Sequence, residues 1–217
     1  LPASDTLLLG SAVRFSVEGY DLLDGASNVC GIRFLESRIV GEQGEVLLEH
    51  NVDWSELDFG VNKDMNAHAL FPIWDEKKDQ VHRLHRLPTN RLGIYRSSAG
   101  DGWLDLEPGA LATLEIRAFD ASENQTIRTI QLKGIEDGEV GAEPWGKLRT
   151  TNVGSGVEVV PNKSGHWSEH GFDLNWKAGT FFEKESLTWE VHPSGRSARL
   201  GPENVPYRKA INVQWPM

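Results

Sequence analysis

The stretch Leu111-Ala112-Thr113-Leu114-Glu115-Ile116-Arg117-Ala118-Phe119 decides the fold. Ala112, Leu114, Ile116 and Ala118 alternate with Thr113, Glu115 and Arg117. A period of two sends successive side chains to opposite faces, so this is a strand with one face in a core and the other in water. The same period recurs on either side. Val13, Phe15 and Val17 alternate with Arg14 and Ser16; Phe172, Leu174 and Trp176, then Leu187, Trp189 and Val191, then Ile211, Val213 and Trp215 repeat it. Antiparallel sheets with one wet face read this way.

Turn residues separate the runs. Asp24-Gly25, Gly41-Glu42-Gln43-Gly44, Ala99-Gly100-Asp101-Gly102, Glu107-Pro108-Gly109 and Pro193-Ser194-Gly195 combine glycine's access to positive φ with proline's fixed φ. Short strands with frequent turns predict an all-β chain of sandwich type. No amphipathic helix stands out. Asp53 to Phe59 is the best candidate and is too short to carry a core face. Residues 60–80 read as a long polar loop held to the sheet by Phe71 and Trp74. The glycine-rich acidic run Gly134 to Gly141 suits a connector. It divides the chain into two expected units, 1–136 and 142–217, each immunoglobulin-like in outline.

The charge is −10 and uneven: residues 1–136 hold 13 Lys/Arg against 22 Asp/Glu, residues 137–217 hold 9 against 10. An acidic surface disfavours nucleic acid, whose phosphates need clustered Lys and Arg. No run of 18 apolar residues occurs, so no membrane span is expected. The lone Cys30 cannot form an internal disulfide; its neighbours Val29, Gly31 and Ile32 predict a buried thiol. Leu1-Pro2-Ala3-Ser4-Asp5 carries neither a start Met nor a basic-then-apolar leader, so a processed or partial chain is expected.

Chemistry-bearing patterns are few. His166-x-x-x-His170 has the spacing of a helical zinc pair, but Gly165 and Gly171 predict a loop. His82 and His85, beside Arg83 and Arg86, read as a solvated basic strand edge. Asp21, Asp24 and Asn28 carry oxygens that calcium could use, without a dedicated calcium-loop spacing; turn-forming Asp and Asn explain them more simply. Asp101 and Asp105 flank Gly102-Trp103, a layout compatible with a glycosidase carboxylate pair. There is no Gly-x-Ser-x-Gly elbow and no phosphate-cradling glycine loop. Eight tryptophans are many. Trp176, Trp189 and Trp215 fall on core-facing strand positions. Trp54, Trp74, Trp103, Trp145 and Trp167 fall in loop-like contexts, where a ring can stack on a sugar, anchor a protein or cap a sheet edge. Trp103 with Asp101 and Asp105, together with Trp74 and Trp167, forms the candidate ligand-binding set.

Longer segments carry a resemblance. Asp21 to Asn28 leads into Gly31-Ile32. Then come His85-Arg86-Leu87-Pro88-Thr89-Asn90-Arg91-Leu92-Gly93-Ile94-Tyr95, Gly102-Trp103-Leu104-Asp105-Leu106, and Ala118-Phe119-Asp120-Ala121-Ser122-Glu123-Asn124 before a closing strand. This order resembles the region that follows the catalytic domain in exported lysostaphin-type (LytM-like) zinc peptidases of Bacteroidetes-type bacteria. Phe172-Asp173-Leu174-Asn175-Trp176, Ala178-Gly179-Thr180-Phe181 and Val205-Pro206-Tyr207-Arg208-Lys209 resemble the next module of those proteins. Such modules usually place Gly where Glu123 stands, so that turn must be built differently here. The family's peptidase domain uses a His-x-x-x-Asp and a His-x-His element. Neither occurs here, and no zinc ligand carries over to any position.

The resemblance implies a non-catalytic accessory, spacer or partner-binding segment of a cell-envelope peptidoglycan metallopeptidase. Its zinc domain would lie upstream of Leu1, the location would be periplasm or envelope, and the chain itself would need no cofactor. Peptidoglycan, another glycan or an envelope protein would be its partner. A carbohydrate-binding module and a standalone surface adhesin are the alternatives.

Overall fold

The computed structural model describes residues 6–10, 13–22, 29–70, 80–98, 100–136, 156–169, 171–191, 198–201 and 205–214. Asp24, Asn28, Phe71, Trp74, Trp145, His170, Trp215, the turn at Pro193 and the connector beyond residue 136 lie outside them. The described residues are all-β. In chain order the strands are β1 Thr6–Leu9, β2 Val13–Arg14, β3 Ser16–Glu18, β4 Asp21–Leu22, β5 Val29–Cys30, β6 Phe34–Gly41, β7 Val46–Asp53, β8 Val81–Arg83 and β9 Tyr95–Ser97. There follow β10 Trp103–Leu104, β11 Leu111–Phe119, β12 Gln125–Gly134, β13 Gly156–Val159, β14 Gly165–Glu169, β15 Phe172–Trp176, β16 Glu185–Val191, β17 Ala198–Gly201 and β18 Asn212–Gln214. No helix among the described residues is long and apolar enough to cross a membrane.

The predicted strand Leu111–Phe119 sits inside a six-stranded sheet of order β1-β12-β11-β6-β7-β9. It pairs antiparallel with both β6 and β12. Ala112, Leu114 and Ile116 face inward as their period demands. They share a core with Leu35, Ile39, Leu48, Val52 and Leu132, and with Leu84, Leu92, Ile94, Leu104 and Leu106 from outside the sheet. The hairpin from β11 to β12 turns at Asp120, whose Oδ1 accepts from the amides of Ser122 at 2.7 Å and Asn124 at 2.9 Å. Glu123 itself takes the positive φ of 68° that a glycine would usually supply. The Asp side chain holding two amides is how this turn does without glycine.

The run Val13–Val17 is split at Phe15. β2 pairs with β10, whereas β3 pairs with β8. The stretch Asp53–Phe59, read as too short to carry a core face, holds a single 3-10 turn, Trp54–Glu56, capped by the Asp53 side chain. A longer 3-10 segment, Phe59–Ala67, replaces the first part of the expected loop.

The second half forms two three-stranded sheets, β13-β16-β17 and β14-β15-β18. Their core is Val159, Phe172, Leu174, Trp176, Phe181, Leu187, Trp189 and Val205. Trp176 and Trp189 are buried, as their register predicts. Val213 is half exposed, so the apolar alternation of the last strand does not mark a core face. Cys30 is also only partly buried, because two-residue β5 pairs with β4 away from the main sheet and outside its core. The His166 segment is strand β14, not a loop. It pairs residue for residue with β15, and His166 Nε2 lies 3.0 Å from Asp173 Oδ1.

Candidate functional site

The two halves meet at a carboxylate. Asp64 is fully buried in the 3-10 segment. It accepts from the backbone amide of Arg91 at 2.8 Å, and from Arg91 Nε at 3.1 Å and Nη2 at 3.0 Å. Arg208 reaches across from the second half and donates Nε at 2.8 Å and Nη2 at 3.2 Å. Burial alone would raise this carboxyl's pKa. The Arg91 and Arg208 hydrogen bonds outweigh it and hold the group down at about 2. Arg208 also donates to the carbonyl of Thr89 and lies 4.3 Å over the Phe182 ring. Phe182 packs with Ala67 and Leu87, and its carbonyl accepts from the Thr89 hydroxyl at 2.7 Å. A second tie joins Arg14 to both oxygens of Glu183 at 2.8 and 3.0 Å.

From Asp64 a polar chain runs into the first half. Asn90 is fully buried. Its Oδ1 accepts from the Leu92 amide at 3.0 Å, which fixes the orientation of the side-chain amide. Nδ2 therefore faces Tyr95 Oη at 3.1 Å and donates to it. The phenol oxygen also lies 3.0 Å from His68 Nδ1. When the phenol donates to His68 Nδ1, His68 carries its proton on Nε2 and donates it to His82 Nδ1, 3.2 Å away. His82 is left with an Nε2–H. That nitrogen is buried and makes no hydrogen bond of proper geometry, although the Gly19 carbonyl is near enough to favour a proton on the ring.

The relay works only with neutral rings. Burial, reinforced by the neighbouring His82 ring and the Arg83 charge, pushes His68 well below its ordinary pKa. Burial likewise lowers His82, takes His50 to about 4 and takes His85 to about 3. His85 Nδ1 donates to the Phe15 carbonyl at 3.0 Å, and His50 Nδ1 sits 2.5 Å from Ser97 Oγ. Arg83 Nη1 donates to the carbonyls of Ala67 and Ala69 at 3.0 and 2.8 Å.

This overturns the reading of His82, Arg83 and His85 as a solvated edge. All three are more than nine-tenths buried. The apolar residues Val81, Leu84 and Leu87 before, between and after the basic ones were the available signal. They draw the segment inward, and the backbone carbonyls of Ala67, Ala69 and Phe15 satisfy the basic groups there.

His82 and Trp54 line an open groove of about 540 Å³ with Gly31, Ile32, Arg33, Ser55 and Met65. The edge of Trp54 meets His68 at a centroid distance of 4.4 Å. Chemically, the relay directs a hydrogen-bond donor toward the end of its chain.

The candidate set from the sequence is not gathered into one site. Asp101, Trp103 and Asp105 are exposed and alternate with buried Gly102 and Leu104, although only Trp103–Leu104 is strand. One face of Trp103 is taken by the Arg14 guanidinium, 4.1 Å from the ring centre. Asp101 holds a positive φ of 50°, and its carbonyl accepts from the Arg86 amide at 2.7 Å. Trp167 lies elsewhere, on β14, with its ring 5.6 Å from Trp189 and packed on the second core. Asp21 pairs with Cys30 in the β4–β5 ribbon. Among the described residues, no group of three or more His, Cys, Asp or Glu is placed to hold a metal ion. Comparison of the chain with protein-family models, curated proteins and solved structures found no match.

Proposed function

We propose that this chain is a non-catalytic accessory segment of a larger envelope protein, two immunoglobulin-like sandwiches in tandem that act as a stiff spacer or partner-binding arm. The observation that carries the reading is the buried Asp64 gripped by Arg91 and Arg208. A charged group buried with both partners in place is costly to open, since separation would leave a carboxylate stranded out of water. A spacer needs such a joint, because it transmits position only when its parts do not swing. By the sequence resemblance, the protein served is a lysostaphin-type peptidoglycan peptidase, with its zinc domain upstream of Leu1. The covered face of Trp103 weakens the carbohydrate-module alternative.

Two measurements test this. Purified chain is assayed for bound zinc by mass spectrometry and for release of muropeptides from purified peptidoglycan. The expected result is neither. Stoichiometric zinc or cross-link cleavage by this chain would sink the proposal. So would a gene whose sequence upstream of Leu1 lacks both the His-x-x-x-Asp and His-x-His elements, as far as the peptidase assignment goes.

A further inference from the structure

Strand β12 breaks its own alternation at one place. Leu132 and Ile130 face the first core, the one fully and the other partly buried. Arg128 stands two residues back on the same side, directly across the ladder from buried Ile116. Its neighbour Ile127 takes the solvent side and is 42% exposed. A plain sheet would have the two exchanged. Local rules broken in this way collect at functional sites.

Arg128 stands where the first sandwich opens. It lines a half-open cavity of about 280 Å³ between β12 and the β3–β4 segment. Ile32, Leu35, Ile116 and Ala118 give that cavity an apolar floor, and the first three belong to the buried core. Charges of both signs line it as well: Arg128 from one wall, Glu18 and Asp21 from the other, and Asp120 from the β11–β12 turn. Arg128 and Glu18 are exposed, so they stand on its solvent side. Asp120 is engaged by the amides of Ser122 and Asn124. Glu18 and Asp21 make no ion pair among the described residues, and Arg128 reaches only the Ile127 carbonyl, at 3.4 Å.

The charges select the occupant. A simple carboxylate would meet Glu18 and Asp21, and a simple amine would meet Arg128. A molecule with both an ammonium and a carboxylate answers both walls. An apolar tail on it would cover the floor, where removing apolar surface from water supplies the gain. Ligand pockets run from roughly 300 to 1,000 Å³, so a cavity of this size suits one small molecule and not a polymer.

We propose that this cavity binds a small zwitterion with an apolar tail, of the α-amino acid class, its carboxylate at Arg128, its ammonium at Glu18 and Asp21, and its side chain on the floor. An inward charge can also blunt an unpaired strand edge, and among the described residues β1 pairs with β12 only from Gln131 onward. That role needs no ligand, so a binding experiment separates the two. The inference goes beyond the accessory role and does not depend on it.

The test is a titration of the ¹⁵N-labelled full chain with L-leucine, followed in ¹H–¹⁵N spectra. The amides of Gly19, Ala118 and Arg128 should move saturably. Leucinamide lacks the carboxylate, 4-methylpentanoate lacks the ammonium and glycine lacks the tail. Each should bind about tenfold more weakly, the loss of one charge-assisted bond or of the apolar contact. In Arg128→Gln the preference for leucine over leucinamide should vanish. In the double variant Glu18→Gln, Asp21→Asn the preference over 4-methylpentanoate should vanish. Absence of a saturable shift at millimolar leucine overturns the proposal, and leaves Arg128 as a guard of the strand edge. So does equal binding of leucine and leucinamide by the parent, or an Arg128→Gln variant that keeps the parental preference. Should a variant fail to fold, the four titrations of the parent still decide.

Discussion

Trp176 shows how far a single residue can be argued. Its ring is 7% exposed, and it packs in the second core edge-on to Phe181 at 6.1 Å. Directly across the ladder stands Gly165, where any Cβ would strike the Trp176 ring. Trp176→Ala should cost about 3–5 kcal/mol in urea unfolding, the price of a large cavity in a small core. Gly165→Ala should cost about 1–3 kcal/mol by overpacking the same site from the other side. The indole nitrogen has no partner, so Trp176→Phe should cost clearly less than the alanine. Equal costs for phenylalanine and alanine would show that the ring's packing is not what holds the site.

The element that matters most is the run from β8 to β9, residues 81–97, which supplies His82, Arg83, His85, Asn90, Arg91 and Tyr95. Tyr95→Phe removes the phenol that accepts from Asn90 and donates to His68, so it should cost about 1–3 kcal/mol. It should also release the tautomers. Long-range ¹H–¹⁵N spectra should show His68 and His82 as pure Nε2–H forms in the parent protein and as mixtures in the variant. The same run sets an acid limit. A histidine buried neutral binds its proton less readily folded than unfolded, so its stabilisation is complete above pH 6.5 and is lost as pH falls from there. For His50, the fall to about 4 amounts to about 3 kcal/mol by linkage, and for His85 the fall to about 3 amounts to about 5 kcal/mol. Urea midpoints should therefore drop steeply between pH 6.5 and 4. A flat profile there would mean that the rings are hydrated. Little of this was legible beforehand. Period two revealed β11, β15 and β16 because their outer faces are polar and their inner faces apolar. Residues 81–86 break that rule. Basic side chains there point inward to carbonyls supplied by Phe15, Ala67 and Ala69, and only the folded chain brings those together. Trp54 could be noticed as a loop tryptophan, yet its pairing with His82 crosses 28 residues of sequence and a 3-10 segment that no periodicity announces.

At the scale of the whole molecule, the joint between the halves and the histidine relay share Asp64 and Asn90 but answer to different pH ranges. Asp64 is held at about 2 against an ordinary value of 3.8. Its stabilisation is complete above pH 3.8 and is lost only as pH falls from there toward 2, about 2 kcal/mol in all. The relay begins to fail far earlier, below pH 6.5. Acid should therefore loosen the first half around a joint that stays shut. Arg208→Ala separates the two effects. It leaves Arg91 on the carboxylate but strips Arg208 Nε and Nη2 from a fully buried group, so the loss should approach the 3–5 kcal/mol typical of a broken buried pair. That cost should be no larger at pH 4.5 than at pH 7.5, because burial pushes a carboxyl that has lost Arg208 upward and a proton there relieves the stranded charge. It should also change the form of unfolding. The parent should lose the signals of Trp54 and Trp189 in one transition, since each half is stabilised by the other through Asp64, Thr89 and Phe182. In Arg208→Ala, the Trp189 signal should fall first and the Trp54 signal later. A variant that still unfolds in one step at the parental midpoint would show that the joint does not couple the halves, and the rigid-spacer reading would lose its main support.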